Sequence, residues 1–119
     1  MRRVVVTGLG IISSIGNSAQ EVTAALKAGR SGIRANEDMA EHGFRSQIAG
    51  APDIDLTAAI DKRKLRFMGP GAGYAYLAME QAIADARLSE TEVSDPRTGL
   101  VAGAGGPSTA ARVAAHQTV

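Results

Sequence analysis

The chain has 119 residues and a formal net charge of +1, with 45% hydrophobic and 21% charged residues. That is enough for one globular domain and too little for two, and the near-neutral balance argues against wholesale binding to nucleic acid or anionic membrane. Cysteine is absent and aromatic residues make up 3%, which excludes disulfides, thiolate metal sites and a cysteine nucleophile among these residues and leaves little surface for stacking bases.

Val4-Val5-Val6 begins an apolar run through Leu9, Ile11 and Ile12, punctuated by Gly8 and Gly10. A β-branched run without polar alternation predicts a strand covered on both faces. The same glycines and Ser13-Ser14 break it too often for a signal-peptide core, so a cytoplasmic chain is expected. Gly16-Asn17 is turn chemistry, and Ser18 three residues before Glu21 predicts a capping box opening a helix. Val22, Ala25 and Leu26 share one face of that helix, and Gly29 is placed to stop it.

Ser31-Gly32 predicts a turn, Asn36 to Glu41 a short polar helix, and Phe44 to Ala49 an alternating strand closed by Gly50 and Pro52. Asp55 is placed to cap a turn through Ile60, and Lys62 to Met68 reads as a short helix. Beyond Gly69-Pro70, the segment Gly71 to Leu88 predicts the longest helix. Its first half, Ala72 to Met79, is apolar nearly all round, as in a helix enclosed by protein on every side. Few other residues are available to enclose it, so the chain is expected to belong to a larger body. Ser89 to Thr98 reads as a polar loop and Gly99 to Gly103 as a second covered strand. A glycine-rich turn, Ala104 to Ser108, precedes an alanine-rich helix from Ala110. That helix carries no C-cap before Val119, as in a truncated sequence.

The run Val6-Thr7-Gly8-Leu9-Gly10 invites a nicotinamide-dinucleotide reading. Ser13 stands where the fingerprint needs its third glycine, and no acidic residue follows at the end of a second strand. A phosphate-loop reading of Gly103 to Ser108 fails for want of a lysine before Ser108. His42 and His116 are too isolated for a metal site or catalytic dyad, and no paired carboxylates appear. The sharpest feature is Lys62-Arg63-Lys64-Leu65-Arg66. On a helix, Lys62 and Arg63 share a face with Arg66, and their mutual repulsion costs stability unless an anion offsets it. Such a face is either simply solvated or docks an acidic partner.

Several segments resemble one family. They are Met1 to Asn17, Gly29-Arg30-Ser31-Gly32-Ile33, Arg66-Phe67-Met68, Met79 to Ala86, and Gly99 to Gly106. In order and along the whole chain, they are similar to the amino terminus of the β-ketoacyl-acyl carrier protein synthases, type I more than its relatives. The resemblance implies part of the first half of an α/β thiolase-like fold with α-β-α-β-α layers. It implies a homodimeric, cofactor-free enzyme that takes an acyl chain from acyl carrier protein onto a cysteine and condenses it with malonyl-carrier protein. The family's catalytic cysteine, two histidines and supporting lysine match no position up to Val119, so this segment alone is expected to be inactive. Lys62, Arg63 and Arg66 match the family's docking face for acidic carrier protein, with Arg45 as a further candidate. Gly105, Gly106, Pro107 and Ser108 match the wall of the acyl-chain pocket, Pro107 standing where glycine is usual. Neither nucleic acid nor membrane is implied as a partner. The alternatives are a type II or polyketide ketosynthase within the family, and outside it a nicotinamide-dependent oxidoreductase or a stand-alone interaction module.

Overall fold

The structure is a computed structural model and describes residues 3–106 and 108–117. Its elements run α1 (Ala19–Lys27), β1 (Ile33–Ala35), α2 (Glu37–Glu41), β2 (Ile48–Gly50), α3 (Leu56–Ala59), α4 (Lys62–Leu65), α5 (Pro70–Ala86), α6 (Glu90–Val93) and α7 (Thr109–Gln117).

Local chemistry sets most of the boundaries. Ser18 Oγ accepts from the Glu21 N–H at 3.2 Å, as the capping box predicts, but the Glu21 carboxylate reaches one residue further back, to the Asn17 N–H at 2.7 Å. Gly29, at φ 61, ends α1 in a Schellman motif: its N–H bonds Leu26 O, and the Arg30 N–H bonds Ala25 O. Asn36 caps α2 through Met39 N–H. Gly43 and Phe44 close α2 in a second Schellman motif, so Phe44 is spent on the helix end and β2 begins only at Ile48. β2 pairs antiparallel with β1, Arg34 opposite Ala49. β1 itself was not expected, and three residues are too few to show alternation.

Asp55 caps α3 by accepting from both the N–H and the hydroxyl of Thr57, which hold its pKa below the usual value. The loop expected over 89–98 contains α6, opened by a reciprocal capping box between Ser89 and Glu92 that lowers the Glu92 pKa.

Two predicted strands are not strands. Val4 to Ile12 and Gly99 to Gly103 pair with nothing: the sheet among the described residues is the β1–β2 ribbon alone. Val4 is 93% exposed and Val101 98%. The residues are strand formers, but a strand exists only against a hydrogen-bonding neighbour, and none is present among the described residues. The same shortage leaves α5 open. Leu56 and Ile60 pack on Gly73, and the Gly8–Ile11 segment lies along α5 further on, while Ala72, Ala75 and Met79 remain exposed. Leu26, expected on the buried face of α1 with Val22 and Ala25, is also exposed.

The exposed area is 10079 Å², against about 6,000 Å² for a compact monomer of 12.2 kDa. The radius of gyration is 17.4 Å, where about 13.5 Å would be compact. Only Val22, Ala25 and Ile60 form buried hydrophobic core among the described residues. The elements are correctly nucleated but open on several faces.

Gly71 has room for a side chain. Gly71 lies in the first turn of α5, and a Cβ there would meet nothing within 4 Å. Gly71→Ala is expected to stabilise the fold by about 0.5–1 kcal/mol, read from the shift in the urea or thermal unfolding midpoint.

Candidate functional site

The glycine-rich amino-terminal segment is built for packing. The Leu9 N–H donates to Asp85 Oδ2 at 2.9 Å and the Ile11 N–H to Gln81 Oε1 at 3.0 Å. Gln81 and Asp85 are one turn apart on α5, a rise of about 6 Å, which matches the spacing of alternate residues in an extended chain. Gly8 and Gly10 allow this approach. A Cβ on Gly8 would strike the Ala82 carbonyl oxygen, and one on Gly10 the Ala78 carbonyl oxygen. The peptide donors that a pyrophosphate would need are therefore already engaged, one of them by a carboxylate. The nicotinamide reading loses its site.

Gln81 also donates from Nε2 to Asn17 O at 2.7 Å, and Asn17 Nδ2 donates to Asp53 O at 2.8 Å. Asn17 thus joins the start of α1, the approach to α3, and α5.

The basic cluster occupies α4 and its C-cap. Asp61 Oδ1 accepts from the Arg63 N–H at 2.8 Å and starts the turn; Arg66 ends it. Lys62, Arg63 and Arg66 are all exposed, and the Lys62 and Arg63 side chains have no hydrogen-bond or ion-pair partner among the described residues. Arg66 lies 5.5 Å from the centroid of the Phe67 ring, which is itself 83% exposed. The structure therefore brings three of the four expected docking cations onto one turn. Arg45 is exposed too, but it sits on the separate segment between α2 and β2.

Lys64 behaves differently from its neighbours. Its Nζ donates to the Tyr76 hydroxyl at 2.7 Å and sits 5.0 Å from that ring's centroid, and the hydroxyl donates in turn to Glu80. The bond to Tyr76 raises the Lys64 pKa above its ordinary value, with smaller contributions from Glu80 and Asp61. Sequence reasoning did not find this arrangement. Tyr76 and Glu80 stand at i, i+4, but nothing in the sequence ties them to Lys64.

Of the expected pocket-wall residues, Gly105 and Gly106 are exposed, with open space where a Cβ would stand. Ser108 lies against the head of α5, since a Cβ on Gly69 would come within 3.0 Å of Ser108 Cβ. Pro107 lies outside the described residues. Gly69 is three residues from Arg66, so the basic turn and this segment meet at the start of α5. His42 Nδ1 bonds the Asp38 carbonyl at 2.7 Å, and no group of three or more potential metal ligands occurs among the described residues. No helix among them is long and apolar enough to cross a membrane.

These elements are a piece of a thiolase-like α/β fold, as solved ketosynthases show. A chain titled the ishigamide ketosynthase/chain length factor superposes with a TM-score of 0.66 at 42% identity, over 76% of this chain and 23% of its own. A β-ketoacyl synthase from Burkholderia phymatum gives 0.62 at 38% identity, over 77% and 23%. The family model "Beta-ketoacyl synthase, N-terminal domain" matches residues 1–118, and the chain belongs to that family. Among curated relatives, 3-oxoacyl-[acyl-carrier-protein] synthase 1 of Haemophilus influenzae is 54% identical over 88% of this chain and 26% of its own length. The Escherichia coli K12 enzyme of that name is 52% identical over 91% and 27%, while synthase 2 of Coxiella burnetii is 34% identical over 87% and 25%. The chain spans about a quarter of the length of the relatives it matches.

Proposed function

We propose that this chain is the amino-terminal segment of a fatty-acid condensing enzyme, a cytoplasmic homodimer that makes 3-oxoacyl-acyl carrier protein. In that reaction a cysteine thiolate displaces carrier-protein thiol from the acyl thioester. Malonyl-carrier protein then loses carbon dioxide, and the carbanion so formed attacks the acyl-enzyme thioester, freeing the cysteine. This chain has no cysteine, so the nucleophile and its histidines belong to other parts of the enzyme. The contributions of this segment are a docking turn and part of the acyl-pocket wall.

The observation that carries the reading is the family match across residues 1–118, with type I synthases more similar than type II. The docking role is supported by the geometry of α4. Lys62, Arg63 and Arg66 project exposed cations whose mutual repulsion an acidic carrier protein would relieve. Arg45, exposed on the separate segment before β2, is a further candidate for the same role. The family resemblance is what supports Gly105, Gly106, Pro107 and Ser108 as the pocket wall; of these, Ser108 lies against the head of α5.

The test uses the full-length enzyme. With acyl- and malonyl-carrier protein it is expected to release carbon dioxide and form the 3-oxoacyl product, and its melting temperature should not move with either nicotinamide cofactor. A nicotinamide-dependent thermal shift without condensation would reverse the assignment.

A further inference from the structure

A four-residue helix has no stability of its own, and α4 adds to this the repulsion of Lys62, Arg63, Lys64 and Arg66. Its Asp61 cap fixes where the turn begins but not how it sits on the rest of the molecule. Lys64 links this turn to the long helix α5 by a side-chain hydrogen bond. Its ammonium donates to the Tyr76 hydroxyl, and the hydroxyl donates its own hydrogen bond to Glu80 one turn along.

We infer that Lys64, Tyr76 and Glu80 form a strut that fixes the basic turn on α5 and so aims Lys62, Arg63 and Arg66 at the carrier protein; this rests on the docking reading above. Lys64 is a positioning residue, not a docking cation. Glu80, through the hydroxyl, offsets the Lys64 charge, so Lys64 adds little to the outward field. Tyr76 supplies the bridging oxygen, and Phe at that position would lose the bridge. The four-cation segment thus divides into three that face outward and one that faces its own support.

The experiment is a carrier-protein titration of the full-length enzyme at low salt, comparing Tyr76→Phe, Lys64→Met and the double variant. Each single change is expected to raise Kd by about threefold to tenfold, and the double by no more than either single, because both remove one linkage. In turnover the loss appears in KM for acyl carrier protein with kcat retained. Lys64→Arg, which keeps a donor for the hydroxyl, is expected to retain most of the affinity.

A silent Tyr76→Phe beside a weakened Lys64→Met would overturn the strut, since Lys64 would then contact the partner directly. Single effects that multiply in the double variant would do the same. Arg63→Glu is measured alongside. If it too leaves Kd unchanged, the docking reading fails; if it weakens binding while Tyr76→Phe does not, only the strut fails.

Discussion

The double reversal Arg63→Glu/Arg66→Glu is expected to weaken binding of acyl carrier protein to the full-length enzyme by about 30-fold at low salt, or ~2 kcal/mol. Both side chains are exposed on a turn with few internal partners, so the change removes two attractions and installs two repulsions without disturbing a core. Most of the loss should fall on the association rate, because exposed charges act mainly by steering the encounter. At 1 M salt the screening length shrinks to about 3 Å and the variant should approach wild type. Stopped-flow association and equilibrium titration across a salt series check this. An affinity that ignores both the reversal and the salt would remove α4 from the docking surface.

Gly10→Ala is expected to be the most damaging small substitution in the segment, costing roughly 3 kcal/mol or more. The added methyl would run into the Ala78 carbonyl, with Ala78 C and Ala82 N both at 2.8 Å. These are backbone atoms inside a helix and cannot rotate aside as a side-chain tip can. Relieving the clash means lifting the chain off α5, which would also break the Leu9–Asp85 and Ile11–Gln81 bonds. Urea unfolding of the full-length enzyme is the measurement, with Gly71→Ala as the matched glycine replacement that moves the other way. A Gly10→Ala enzyme that unfolds with wild type would mean the close approach is not present.

Signals confined to four or five neighbouring residues were legible in the sequence. Ser18, Asn36 and Asp55 stand where helices begin, and Gly29 where one ends, because each cap is a bond between a residue and its near neighbours. The Ser89/Glu92 box was equally local, yet the four-residue helix it opens has no apolar period to draw notice. Long-range partners were the obstacle elsewhere. Val4 to Val6 and Leu100-Val101 have strand composition, but a ladder depends on a neighbour that their own sequence does not encode. Leu26 completes an apolar stripe on α1, and whether that stripe is covered depends on what packs there.

The same contrast runs through the site. The family resemblance and the charge run together singled out Lys62, Arg63 and Arg66, and the structure places them on one exposed turn. Lys64 belongs to the same charge run but falls outside the docking set, since neither the shared helix face nor the resemblance includes it. What the sequence did not reveal is its partner, the hydroxyl of a tyrosine twelve positions later that the fold brings within hydrogen-bond distance.

The engagement of Leu9 and Ile11 with α5 has one more consequence, for any sheet that recruits the amino terminus. A neighbouring strand laid beside Val4–Val6 finds no rung at Leu9 or Ile11, because both amide protons are already given to helix side chains. On the edge that faces α5, Gln81 and Asp85 therefore act as a ruler: they end the row of free amide donors before Leu9.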